Sequence, residues 1–183
     1  GATAEAKSLL RTVEKPDEAP DALFQGAAAY FKHWHYEEAI PVLRRYIQNA
    51  SLDPYRRVVG KTNLAMALLF VEKFGEAKGV LSEVLEETSA SNLMLLNAIS
   101  LRTLGNLELE KKDYDSALNY FKHAKKLLAS ASNLEMYFCE KWIAITEFLI
   151  SPQSSNLAIE SAKKKAIELQ HWESVRDIVY HQA

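Results

Sequence analysis

Apolar residues along this chain recur at the spacing of a helical turn. Leu23, Ala27 and Tyr30 stand at i, i+4 and i+7, and Phe24, Ala28 and Phe31 repeat that pattern on the adjoining face. Two apolar stripes side by side require contact on two sides of one helix. The pattern predicts a helix after Pro20, a turn over 33–35 and a second helix over 36–49. Residues 51–54 break the period, with Asp53 placed to cap a third helix and Pro54 to open it. Further helices are expected near 54–72, 75–87, 90–111, 114–130, 133–150, 154–170 and 171–182. The plainest breaks fall at 112–114, 130–133 and 151–155. No polar–apolar alternation is long enough for a strand. The stretch 142–150 comes nearest, being β-branched and aromatic, but its flanks favour helix. Ahead of this, Ala4, Leu9, Leu10 and Val13 predict a short helix over 1–13. Pro16 and Pro20, with Asp17 and Glu18 between them, make 14–20 a linker. Residues 1–20 therefore read as a leading helix and linker, and 21–183 as a helical domain.

Three of the expected turns share a sequence. His35-Tyr36-Glu37-Glu38-Ala39, Lys73-Phe74-Gly75-Glu76-Ala77 and Asp113-Tyr114-Asp115-Ser116-Ala117 each set an aromatic residue three positions before an alanine. A small residue precedes each alanine by twelve positions: Ala27, Ala65 and Gly105. A bulky one follows by four: Leu43, Leu81 and Phe121. The small residue lets a second helix cross close, the alanine fills the other side of the crossing, and the aromatic plugs the joint. This pattern resembles the tetratricopeptide repeat family, whose unit is a helix–turn–helix of about 34 residues. The resemblance covers Leu23 to Leu128. It implies an all-α chain: an α-solenoid of helical hairpins wound into a right-handed superhelix.

The spacing departs from the family. Ala39 to Ala77 is 38 residues and Ala77 to Ala117 is 40, so the helices are longer than the minimal unit needs. Cys139 lies 34 after Gly105, at the small position of a fourth, degraded unit whose alanine is Ala162. About four hairpins result. The segment 171–181 starts a fifth unit or forms a cap, and keeps Trp172, Val175, Ile178 and Val179 apolar. It is also the place where a homo-oligomer would form.

Composition narrows the picture. Gly and Pro together make only 11 of 183 residues, which suits long helices and argues against a many-turned β fold. Lys+Arg minus Asp+Glu is 22 − 24 = −2, so no global basic excess points to nucleic acid. The longest apolar run, Leu64 to Val71, is far too short to span a membrane. One cysteine excludes an intrachain disulfide and a multi-cysteine metal site. No signal peptide is visible, and a cytoplasmic chain is expected. The sequence opens at Gly1, as a processed chain or excised fragment would.

Few residues offer chemistry. Gly60-Lys61-Thr62 resembles the end of a phosphate-binding loop. That loop needs a glycine at position 55, which is Tyr55, and a preceding strand. Lys61 is expected in solvent. His33, His35, Glu37 and Glu38 lack metal-site spacing. Cys139 is expected to pack rather than react. Lys122, Lys125 and Lys126 cluster on one helix and Lys163 to Lys165 on another, without interleaved aromatics, and read as solvated faces. Carboxylate pairs such as Glu37/Glu38 and Glu86/Glu87 read the same way. No enzyme activity, metal or cofactor is implied.

The resemblance places first helices on the concave side of the superhelix. There the candidate binding residues are Phe24, Phe31 and Lys32, then Thr62, Met66 and Phe70, then Arg102 and Asn106, with Asp21, Ala28, Leu69, Leu109 and Glu110 nearby. Either these form an apolar groove or long helices bury them as core. The carboxylate clamp that related domains use on chaperone tails would fall on Phe24, Ala28, Asn63, Ile99 and Thr103. Only Asn63 fits. The sequence thus supports a non-catalytic scaffold or adaptor for a protein or peptide segment. Its rival is a sensory or regulatory domain of a larger signalling protein or transcription regulator, binding a peptide or small ligand.

Overall fold

The structure, a computed structural model, describes Ala4, Glu5, Lys7, Ser8, residues 19–128 and residues 133–182. Of the expected leading helix, those first four residues are helical. The remainder, and the linker up to residue 18, lie outside the described residues. From there the helices are α1 (Pro20–Lys32), α2 (Tyr36–Gln48), α3 (Pro54–Phe70), α4 (Phe74–Ala90) and α5 (Met94–Glu110). They continue as α6 (Tyr114–Leu127), α7 (Asn133–Ile150), α8 (Pro152–Glu168) and α9 (Trp172–Gln182). The described residues contain no strand. Among them, no helix is long and apolar enough to cross a membrane.

The turns explain why so little glycine suffices. Trp34, Glu72, Asn92, Lys112 and Gln170 each take a left-handed conformation, with φ between 53° and 66°. The residue after each sends its N–H back five positions: His35 to Tyr30 O (3.0 Å), Lys73 to Leu68 O (2.9 Å), Leu93 to Thr88 O (3.0 Å), Asp113 to Glu108 O (2.9 Å) and His171 to Ala166 O (2.9 Å). This closes the last helical turn and satisfies a carbonyl that would otherwise be orphaned. The cost is a Cβ in left-handed space, about 1–2 kcal/mol per residue.

Two expected boundaries shift for local reasons. The break between 87 and 90 is really helix, and the turn falls over 91–93. The Thr88 hydroxyl donates to Val84 O at 2.8 Å and is thereby satisfied inside the helix, and Asn92 makes the turn without glycine. The serine-rich stretch 151–155 is not a loop. Pro152 opens α8 at its first position, where a missing N–H costs nothing. Other signals match. Asp53 Oδ1 accepts from Arg56 N at 2.9 Å with Pro54 behind it, and Asp113 Oδ1 accepts from Ser116 N at 3.1 Å. Helix α2 starts at Tyr36, leaving Pro41 inside it near the first turn.

The helices form two compact units, Gly1–Leu96 and Asn97–Ala183, divided within α5. In the first, α2 packs on α1, α3 on α2 and α4 on α3. The repeat positions are its core: Ala27, Ala39, Leu43, Ala65, Ala77 and Leu81 are at most 2% exposed. In the second, α7 packs on α6, α8 on α7, and α9 on both α7 and α8. Gly105, Ala117, Phe121, Cys139 and Ala162 lie in its core. A Cβ on Gly105 would sit 2.6 Å from Phe121 Cδ1, too close for any real side chain. Gly60 does the same work in the first unit, where a Cβ would meet Tyr46 Cε1 at 2.7 Å. It is a packing glycine, not part of a phosphate loop. On α9 only Ile178 of the apolar stripe is fully buried, while Trp172 and Val179 are exposed, because α7 and α8 cover one side of that short helix alone.

Candidate functional site

In the first unit, α1 turns one stripe into the core and leaves Phe24, Ala28, Phe31 and Lys32 on the adjoining face. A cavity of about 280 Å³ opens there. Its lining is Phe24, Ala27, Ala28, Phe31 and Lys32 of α1, Leu43 of α2 and Asn63 of α3. Ala28 is exposed, and as a methyl between two phenyl rings it leaves the space that the cavity occupies.

Both phenyl walls are braced from behind. Phe24 meets Tyr46 at 5.2 Å between ring centroids, and Phe31 meets Tyr36 edge-on at the same distance. Tyr36 in turn stacks on Phe70, 4.3 Å away. Such ring pairs add about 0.5–1.5 kcal/mol each beyond simple burial. Tyr46 is itself core, and burial, with Asp53 assisting, pushes its phenol above the ordinary 10.0. Asn63 gives one Nδ2 hydrogen to Val59 O at 2.9 Å, so its amide is fixed, with the carbonyl oxygen and the second Nδ2 hydrogen remaining.

The sequence-predicted residues divide. Phe24, Phe31 and Lys32 line the cavity. Met66 is half-buried on α3, and Phe70 is 54% exposed against Tyr36. Thr62 is a correction: it is buried, and its hydroxyl donates to Val58 O at 2.9 Å, so it belongs to packing. Leu69 is core for the same geometric reason. Lys61 is a second correction. Rather than standing in solvent, it is 16% exposed and held by Glu83 (2.8 Å) and Glu87 (2.6 Å) of α4, and those carboxylates raise its pKa against the effect of burial. Sequence reasoning missed Tyr36 and Tyr46 as wall supports. Their signal was present: residues 36, 39, 43 and 46 share one face of α2.

Arg102 and Asn106 lie on α5 in the second unit, among different neighbours. Arg102 reaches Glu135 at 3.2 Å and covers the Phe138 ring at 5.4 Å. Arg102 Nε and Asn106 Oδ1 are buried without a hydrogen-bond partner among the described residues. Beside them Lys141, only 4% exposed, meets Asp177 of α9 at 2.8 Å and lies 4.2 Å from the Trp142 ring centroid. Burial lowers the Lys141 pKa. The ammonium of Lys141, opposing the burial, holds the Asp177 carboxyl below its usual range. His181 packs edge-on against Trp142 and is lowered by burial.

The remaining motifs carry little chemistry. The Cys139 thiol is fully buried and pushed up to about 11, which leaves no thiolate at neutral pH. The lysine clusters are partly neutralised rather than simply solvated. Lys125 and Lys165 both reach Glu140 at 3.1 Å, and Lys122 reaches Glu147 at 3.6 Å. Among the described residues no group of three or more His, Cys, Asp or Glu could hold a metal ion. His35 Nδ1 lies 3.2 Å from Glu38.

No protein-family model and no curated protein matches the sequence. Solved structures do. The apo form of RapI is similar over 96% of this chain and 66% of its own, with a TM-score of 0.73 at 16% identity. A Rap protein complexed with Competence and Sporulation Factor is similar over 92% of this chain and 48% of its own, with a TM-score of 0.74 at 18% identity. TPR-like repeats of a Podosopora anserina putative kinesin light chain are similar over 93% of this chain and 98% of theirs, with a TM-score of 0.62 at 14% identity. The chain thus spans between about half and two thirds of the length of the Rap structures. With the repeat alanines buried, the helical hairpins closed by left-handed turns and these structural neighbours, the chain has the tetratricopeptide-like helical-repeat fold.

Proposed function

We propose that this chain is a non-catalytic binding module that holds a protein or peptide segment on the inner face of its first helices. The observation that carries the reading is the aromatic-walled cavity on α1, α2 and α3, open to solvent and braced by Tyr36 and Tyr46. Apolar cavities with a few polar groups are the usual form of a ligand site. Phe24, Phe31, Lys32, Met66 and Phe70 form the first unit's contribution. Arg102 and Asn106 belong to the second unit, where Arg102 is engaged by Glu135 and Phe138, and they are not counted in this site.

The test uses labelled amphipathic peptides with apolar anchors, titrated onto the intact chain by fluorescence anisotropy. The Phe31→Ala/Met66→Ala variant, checked for an unchanged circular dichroism spectrum, should lose about 2 kcal/mol of binding, roughly thirtyfold in Kd. Equal binding by the folded double variant would remove this face from the proposal.

A regulatory reading has one observation in its favour, the likeness to a Rap protein complexed with Competence and Sporulation Factor. In that reading the bound segment changes the shape of the chain. Small-angle scattering with and without a bound peptide separates the two: an altered profile supports regulation, and an unchanged one supports simple holding.

A further inference from the structure

The cavity has a definite size and a single charge. At about 280 Å³ it has room for one large side chain, and its walls are Phe24, Phe31, Leu43 and the methyls of Ala27 and Ala28. Lys32 lies four residues beyond Ala28, on the same side of α1, and among the described residues is the only charged one in the lining. It is exposed, and no hydrogen bond or ion pair holds its ammonium among the described residues. Asn63 adds a carbonyl oxygen and a second amide hydrogen, the first being given to Val59 O.

Resting on the peptide-binding reading, we infer that the partner is a peptide segment that inserts one bulky apolar side chain, such as leucine or phenylalanine, between Phe24 and Phe31 and sets an aspartate or glutamate side chain about one turn away against Lys32. The apolar part follows from the lining. The braced rings are held in place before binding, so little ordering remains when the anchor enters. The acidic part follows from charge complementarity with Lys32 at the rim, unopposed among the described residues. An internal side-chain carboxylate fits better than a chain terminus. A terminal carboxylate needs several convergent donors, and here Lys32 is a single point charge, with one Asn63 hydrogen already given to Val59 O and at most one more to give.

The anchor should supply most of the affinity and the charge most of the discrimination. Three capped peptides of matched length test this on the full chain: leucine anchor with flanking glutamates, leucine anchor with flanking lysines, and alanine in place of leucine with glutamates. The glutamate-flanked leucine peptide should bind tightest, with the lysine-flanked one weaker by about threefold to fivefold at low salt, a difference that fades as salt rises. The alanine peptide should be weaker by at least about tenfold.

Two exposed-site variants sharpen the result. Ala28→Phe fills the cavity from a position that tolerates size, and should weaken the leucine peptides to the level of the alanine one. Lys32→Glu should reverse the charge preference while leaving the leucine-over-alanine preference intact. Both variants are checked by thermal melting. Leucine peptides that bind without charge preference, or a preference unmoved by Lys32→Glu, would overturn this inference and leave the peptide-binding reading standing. If none of the three peptides binds, and amphipathic peptides of other designs also fail, both fall together.

Discussion

The two compact units use one packing device and set different side chains beside it. In each, a glycine lies under an aromatic ring: Gly60 under Tyr46, and Gly105 under Phe121. In each, the repeat alanines are fully buried. Yet the first unit leaves an apolar cavity whose one lysine is unopposed among the described residues. The second sets ions and rings between its helices, Arg102 with Glu135 and Lys141 with Asp177 around Phe138 and Trp142. The repeat therefore dictates how helices cross and is indifferent to what the neighbouring stripe carries. A site on this fold is written in the residues between the motif positions.

The sharpest way to break the comparison is to remove the ion pair of the second unit. Asp177→Asn leaves the Lys141 ammonium buried without its counter-charge, and should cost about 3 kcal/mol in chemical denaturation. Replacing both partners, as Lys141→Met with Asp177→Leu, should recover most of that loss, because the apolar pair carries no desolvation penalty. A single variant as stable as the parent would mean that water already reaches Lys141, and the contrast between a closed and an open face would fail.

A smaller effect tests what the units share. Gly105→Leu should overpack against Phe121 and cost roughly 1–3 kcal/mol, although leucine is much the better helix former. Gly60→Ala should be destabilising for the same reason, because the buried Tyr46 ring has nowhere to go. Thermal melting gives both values. A higher melting temperature for either variant would contradict the crossing geometry of that unit.

The smallest effect concerns the turns. Lys112→Gly and Glu72→Gly relieve a Cβ held in left-handed space and should each raise stability by about 1 kcal/mol, less the added flexibility of the unfolded chain. Similar gains at both positions would sharpen the statement that the turn is common to the two units. A gain at one and a loss at the other would show that their turns differ in more than sequence.

The hydrophobic period and the recurring aromatic–alanine turn determined the fold from sequence alone. Helix spacing, the hairpin order, Gly105 in a tight crossing and Asp53 as a cap were all legible, because each depends on residues close together in the chain or on a repeated pattern. The long-range partners were not. Lys61 reads as a solvent residue until α4 brings Glu83 and Glu87 beside it, and Thr62 reads as an open-face residue until α3 turns it into the core. Phe24 and Phe31 were visible as a stripe. That Ala28 between them leaves a cavity, braced by two tyrosines from α2, is a fact of packing. Likewise nothing near Lys141 in the sequence announces Asp177, 36 residues away. Periodicity fixes which way a helix faces its neighbours. Only the tertiary structure decides which groups from different helices share a space, and so which charges are opposed and which face remains open.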